Sequence, residues 1–204
     1  MIKCKNCGKE NRTLEPVCGF CASEFVLSEK EALPLLIEAK ENIERQKYIE
    51  AVDLYKFLAQ LGITEAMREF AFILERGILV PRDLDMAMQY YLAAAKNRDS
   101  YSAYRYSKLI SRFNGHTSDF WLEYSAILGE REAFSDAVSL YDRIGDESSA
   151  AYYCSRLAEE GDADAIVEMA RRHLYGKGVE KDEGYARWYM DRSEERRVGK
   201  ECAP

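Results

Sequence analysis

Ala165-Ile166-Val167-Glu168-Met169-Ala170-Arg171-Arg172-His173-Leu174-Tyr175-Gly176-Lys177-Gly178-Val179-Glu180-Lys181-Asp182-Glu183-Gly184-Tyr185-Ala186-Arg187-Trp188-Tyr189 decides the fold, because its pattern also occurs 99 residues earlier. Laid over Ala66–Tyr90 without a gap, eight of 25 positions are identical: Ala66/Ala165, Glu69/Glu168, Ala71/Ala170, Gly77/Gly176, Val80/Val179, Asp83/Asp182, Ala87/Ala186 and Tyr90/Tyr189. Two weaker copies fill the interval. One starts near Ser102, with Tyr106, Leu109 and Ile110 on its apolar face; the other starts near Ala133, with Ala137, Leu140 and Tyr141. The starts at 66, 102, 133 and 165 lie 36, 31 and 32 residues apart. An earlier unit aligns Ala51–Tyr55 with Ala87–Tyr91, and its first helix is expected from Glu29 to Arg45. Self-similarity at such a period is the signature of stacked supersecondary units.

Each unit reads as helix, turn, helix. Ala165, Met169, Ala170 and His173 fall at helical spacing. Gly176–Val179 interrupts the helix, and Asp182 offers an N-cap oxygen to the next one, which carries Ala186, Trp188 and Tyr189. Small residues let two helices approach closely, and aromatics fill the space to the neighbouring pair. One pair cannot bury its own apolar stripe, so the units must stack. The expected fold is all-α: an α/α superhelical solenoid with units near 29–61, 65–98, 101–130, 132–161 and 164–191.

The pattern Ala165-x-x-x-Met169-Ala170-x-x-His173-x-x-Gly176-x-Gly178-Val179-x-x-Asp182-x-x-x-Ala186-x-Trp188-Tyr189 resembles a Sel-one-like repeat, a relative of the tetratricopeptide repeat. It departs at Ala170, where the family favours Gly, and at His173, where it favours Tyr. In the copy at Glu65–Ala95, Leu79 replaces the second loop Gly and Pro81 is added. The middle copies have shortened loops, and Glu29–Leu61 looks more like a plain tetratricopeptide unit. The resemblance implies an adaptor that brings protein partners together, not an enzyme.

Ahead of the repeats, residues 1–27 carry Cys4-Lys5-Asn6-Cys7-Gly8 and Cys18-Gly19-Phe20-Cys21. Two residues between cysteines let both thiolates point inward from one tight turn, and two such knuckles supply four sulfurs to a tetrahedral ion. Cys4, Cys7, Cys18 and Cys21 are therefore read as ligands of one structural Zn²⁺. Four thiolates leave no open coordination position for catalysis, although iron would also accept them. The segment resembles short zinc ribbons. Gly8 follows the first pair, where a positive φ is common; the second knuckle has Ala22 and Ser23 instead. About 20 residues cannot bury enough surface to fold alone, so the metal is expected to hold this segment. Lys3, Lys5, Lys9 and Arg12 outnumber Glu10 and Glu15, which leaves open contact with nucleic acid through the ribbon.

The bulk numbers agree with a globular, helix-rich chain: 47% hydrophobic and 32% charged residues, only 4 Pro, and a formal net charge of -7 that disfavours phosphate binding by the whole chain. No apolar run approaches the ~20 residues that span a bilayer, and Met1-Ile2-Lys3-Cys4 opens no signal peptide. A cytoplasmic, bacterial location is expected, where six cysteines stay reduced. Residues 192–204 are expected to be foreign: Arg192–Cys202 resembles the in-frame translation of a short-read sequencing adapter. On that reading the natural chain is longer, and the missing part could belong to an enzyme or a membrane protein.

Other tempting residues have plainer meanings. Gly176-Lys177-Gly178 lacks the Lys-Ser/Thr of a phosphate loop and reads as an inter-helix turn. His173 takes an aromatic packing position, His116 falls in an expected loop, Cys154 reads as a small buried residue, and Arg171-Arg172 as a solvated helix face. The Tyr101–Tyr106 stretch serves either core packing or a binding groove.

Overall fold

The structure, a computed structural model, describes residues 2–11 and 14–201, with side chains as far as Ser193. Arg12 of the basic ribbon set and Cys202 of the adapter-like tail lie outside the described residues. Two compact units divide the chain, Met1–Leu109 and Ile110–Pro204. Among the described residues, every regular element after Ser28 is helical.

In the first unit, β1 (Ile2–Lys3) and β2 (Glu10–Asn11) pair antiparallel, Ile2 opposite Asn11, and Val17 bridges to Glu24. Helices α1 (Glu29–Glu44), α2 (Tyr48–Gln60), α3 (Thr64–Arg76) and α4 (Leu84–Lys96) pack each on the next, and α5 (Ser100–Ile110) follows. The close approaches fall at small residues: Ala32, Ala39, Ala66, Ala71 and Ala87 are wholly buried. The ribbon is seated on this stack by Phe25, whose ring meets Phe57 of α2 edge-on at 6.3 Å. Glu31, in the first turn of α1, accepts from the Ser28 amide (2.9 Å) and hydroxyl (2.8 Å) and from Lys5 of the first knuckle (2.9 Å). The Ser28 backbone amide first, then Lys5, draw its carboxyl down to about 2.

The second unit contains α6 (Gly115–Ile127), α7 (Arg131–Ile144), α8 (Glu147–Glu160), α9 (Ala163–Tyr175) and α10 (Glu183–Glu201), again each packed on the next. Gly145, Gly161 and Gly176 end their helices in the left-handed conformation, while Asp146 and Asp162 cap the helices that follow. Asp182 caps α10 as its sequence position predicts, accepting from the amides of Gly184 (2.7 Å) and Tyr185 (2.9 Å). The α10 backbone continues through Arg192 to Glu201, so most of the adapter-like stretch is helical. His116 is not in a loop: Asn114 accepts the Thr117 amide at 3.1 Å and starts α6 before it.

The loop between α9 and α10 explains its second glycine. Gly178 has φ +72°, and a Cβ there would collide with the Glu147 carbonyl and sit 3.0 Å from the Ser148 nitrogen, both in the backbone of α8. The loop of the last unit thus lies directly on the start of the preceding unit's second helix. Leu79, at the matching position of the earlier copy, adopts φ +71° despite its side chain. Gly178→Ala is expected to destabilise the chain by about 2–4 kcal/mol, combining left-handed strain with displaced backbone. A urea titration monitored by circular dichroism checks this; a midpoint unchanged from wild type would contradict the contact.

Candidate metal centre and repeat grooves

Both knuckles are built alike. In the first, the Cys4 amide donates to Lys9 O and the Gly8 amide to Cys4 O, each at 2.9 Å. In the second, the Cys18 amide donates to Ser23 O at 2.9 Å and the Ala22 amide to Cys18 O at 2.8 Å. Gly8 has φ +73° and Ala22, in the same place, φ +55°. The alanine that departs from the ribbon pattern in sequence therefore does not depart in backbone; it takes the glycine conformation at some cost in strain.

The turns bring the four cysteine sulfurs within 4.8 Å of one another. Cys4 and Cys21 are 3.7 Å apart, as are Cys7 and Cys18. A tetrahedron with metal–sulfur bonds of ~2.3 Å has edges of about 3.8 Å, so the two 3.7 Å pairs match its edges and the set as a whole is compatible with a zinc ion. A disulfide needs sulfurs at about 2 Å, and all four are free thiols. The thiols share charge unequally. The Cys7 amide first, then the Ser23 hydroxyl, lower Cys4 to about 6. The Ser23 side chain lowers Cys21. At Cys7 the Lys9 amide lowers the value, but burial and the three neighbouring sulfurs outweigh it and raise Cys7 to about 11. Four thiolates this close repel one another, and a divalent cation relieves that repulsion.

Residues around the sulfurs were not legible as site residues in the sequence. Buried Asn11 donates to Cys18 Sγ (3.5 Å) and accepts the Gly19 amide (2.9 Å), tying β2 to the second knuckle. Asn6 approaches Cys21 Sγ at 3.7 Å, and Ser23 Oγ lies 2.9 Å from the same sulfur. Donors of this kind orient the ligands and spread their charge. Asn11→Ala is expected to lower zinc affinity by about 10-fold or more, read by competition against a chromophoric chelator; equal affinity would show that Asn11 serves the fold alone.

The other singled-out residues are engaged in packing. His173 stacks on Tyr185 and Tyr189, at 5.3 and 5.7 Å between centroids. Cys154 is buried, its thiol donating to Ala165 O (3.5 Å) and pushed up to about 11 by burial. Tyr101 and Tyr106 pack against the first unit's core. Arg172 corrects the solvated-face expectation for Arg171-Arg172. Arg171 is exposed, but Arg172 is wholly buried and pairs with Asp142 of α7 at 2.6 Å. Asp142 also holds Lys177 of the glycine loop at 3.0 Å.

Among the described residues, two grooves on the helices stand out. One, of about 510 Å³ in the first unit, is lined by Glu29, Lys30, Leu33 and Leu36 of α1, by Thr64, Glu65 and Arg68 of α3, and by Asp99. The other, of about 340 Å³, lies between α9 and α10. No described helix is long and apolar enough to cross a membrane.

Residues 64–99 and 163–196 match the Sel1 repeat family model. These two segments are Sel1 repeats, set in an all-α fold of helix pairs in a repeat arrangement. The matched segments are the two copies related by the offset of 99; the Sel1 match leaves out the degenerate middle units and the first one. Among solved structures, a protective antigen present in uropathogenic Escherichia coli strains and displaying an SLR fold is similar over 80% of this chain, at 24% identity and a TM-score of 0.65. A Sel1 repeat protein from Oxalobacter formigenes is similar over 82% of this chain, at 18% identity and a TM-score of 0.67. The chain spans 38% of the length of the first and 74% of the second. At these identities the likeness is one of fold. No curated protein gives a significant match.

Proposed function

We propose that this Sel1-repeat chain is a non-catalytic, cytoplasmic scaffold that binds protein partners along its helices, with Cys4, Cys7, Cys18 and Cys21 holding one structural zinc at its N-terminal end. We further propose a division into a ribbon at 1–27, repeats at 28–191 and a foreign tail at 192–204. The observation that carries the scaffold reading is the groove beside α1 and α3. Leu33 is 53% exposed at its edge, and Ile37, one turn along α1, is 48% exposed. Around them stand the ion pairs Lys40–Glu65 (2.7 Å) and Arg68–Asp99 (3.0 Å). An apolar strip bordered by fixed charges suits an amphipathic peptide.

The test is affinity capture with the wild-type chain and with Leu33→Asp/Ile37→Asp, followed by titration of each captured protein in purified form. At least one purified partner is expected to bind the variant ten-fold or more weakly. If every partner binds both chains alike, the groove has no part in recognition and the reading fails. Nucleic-acid binding by the ribbon is the weaker alternative. Lys5 is occupied by Glu31, and Lys9 lies over the Phe20 ring at 4.7 Å, so two of its basic side chains are already engaged.

A further inference from the structure

We propose that the outer face of α6 pairs two copies of this chain, antiparallel, about a two-fold axis through Phe120. Along α6 and the turn before it, Phe113, Phe120 and Ile127 recur every seven residues and are 76%, 58% and 66% exposed. Seven residues make two helical turns, so Phe120 and Ile127 share one face, and Phe113 extends it. His116 and Glu123, also exposed, complete a helical stripe with them at 116, 120, 123 and 127. Leu122, on the opposite face, is already buried, and so is Ala126 beside it. A helix apolar on both faces calls for cover on both. Phe120 is also held in place: its ring stacks on Tyr124 at 6.4 Å and meets Trp121 edge-on at 5.3 Å. An anchor fixed before binding loses little side-chain entropy on association.

The stripe fits its own copy. Antiparallel pairing about Phe120 sets Phe120 on Phe120, Phe113 on Ile127, and His116 beside Glu123. The charges agree with that register. The end before Phe120 carries exposed Arg112 and His116, and the end after it carries Glu123 and Glu130. Asp119 and Arg131, the charges of opposite sign at these ends, are paired within the chain to Arg143 (3.1 Å) and Glu160 (2.6 Å). Glu123 stays exposed while the Tyr141 hydroxyl donates to it at 2.8 Å and fixes its position. Antiparallel pairing therefore brings each basic end to the other copy's acidic end, whereas parallel pairing would oppose like charges. A two-fold contact uses the same patch on both copies, so assembly closes at two. Six bulky side chains at about 150 Å² each remove on the order of 900 Å², below the ~1,200 Å² of tight complexes, so the dimer is reversible and micromolar. It uses neither the α1–α3 groove nor the cysteine cluster, and its test is separate from theirs.

Sedimentation equilibrium of the full chain, from low micromolar to several hundred micromolar, tests the assignment. A monomer–dimer equilibrium that stops at two is expected, and Phe120→Asp should raise its dissociation constant about ten-fold or more, with the helical circular dichroism unchanged because the side chain is on the surface. Two charge variants test the register. Arg112→Glu/His116→Glu makes both ends of the stripe acidic, and Glu123→Lys/Glu130→Lys makes both ends basic. Each alone should dimerise more weakly than wild type, and an equimolar mixture of the two should recover a heterodimer, since every end then meets its opposite. A chain that stays monomeric throughout, a dimer indifferent to Phe120→Asp, growth beyond two copies, or a mixture no tighter than its components would each overturn the proposal.

Discussion

Cys18→Ser is expected to release zinc and unfold residues 2–27 while leaving the helices intact. Cys18 is 1% exposed, and its sulfur faces Cys7 at 3.7 Å and accepts from Asn11 and from the Phe20 amide, each at 3.5 Å. Among its described residues the ribbon has two residue pairs of sheet and one isolated bridge, with a small apolar content centred on Ile2 and Phe25. Such a segment cannot offset its backbone entropy without the metal, which supplies on the order of 10–16 kcal/mol in comparable four-ligand peptides. Three sulfurs and a hydroxyl bind far more weakly than four thiolates. Metal content by mass spectrometry should fall from one equivalent toward zero, and amide protection at Cys4, Cys18 and Phe25 should vanish, with the helical circular dichroism nearly unchanged. A strong chelator should reproduce the result in the wild-type chain, as should mild acid, because protons compete with the metal for the thiolates. A ribbon that keeps its amide protection in the metal-free chain would refute the metal centre.

Asp142→Ala is expected to cost about 3–5 kcal/mol, the range for removing one partner of a buried ion pair. Arg172 is fully enclosed, and its Nη1 has no hydrogen-bond partner even in the native state. Glu168, 3.4 Å from Nε, is the other carboxylate at hand. Without Asp142 the guanidinium keeps its charge in a low-dielectric site, and Lys177 loses its contact as well. In contrast, Arg172→Met/Asp142→Leu removes both charges at similar volume and should be much nearer neutral. Denaturant midpoints of the two variants form the test. If the single variant is as stable as the double variant, the pair does not have the energetic role its burial implies. Asp142 and Glu75 occupy equivalent places, each nine residues past the first small residue of its helix, Ala133 and Ala66. Each draws an arginine 30 residues on, Arg172 and Arg105. A carboxylate on one unit's first helix and an arginine on the next unit's first helix thus recur as an inter-unit link.

The helices, the capping role of Asp182 and the four-sulfur cluster were legible in the chain because each depends on local spacing. Asp182 lies one residue before its helix, and two cysteines three apart define a knuckle whatever surrounds them. Ala22 shows the limit of such reading: the residue type suggested a departure, but the bonds that its own amide donates to Cys18 O and that the Cys18 amide donates to Ser23 O hold it in the glycine conformation. Arg172 shows the same limit more sharply. Beside Arg171 on a helix it looked solvated, and only the placement of α7 and the glycine loop against α9 buries it.

What the sequence determined alone was therefore the repeat, its period, and which sulfurs can meet, since these follow from helix geometry and turn length. Tertiary structure decided which polar residues are enclosed, why Gly178 admits no side chain, and which grooves stay open. Those properties depend on neighbours far apart along the chain, and periodicity within one unit carries no information about them.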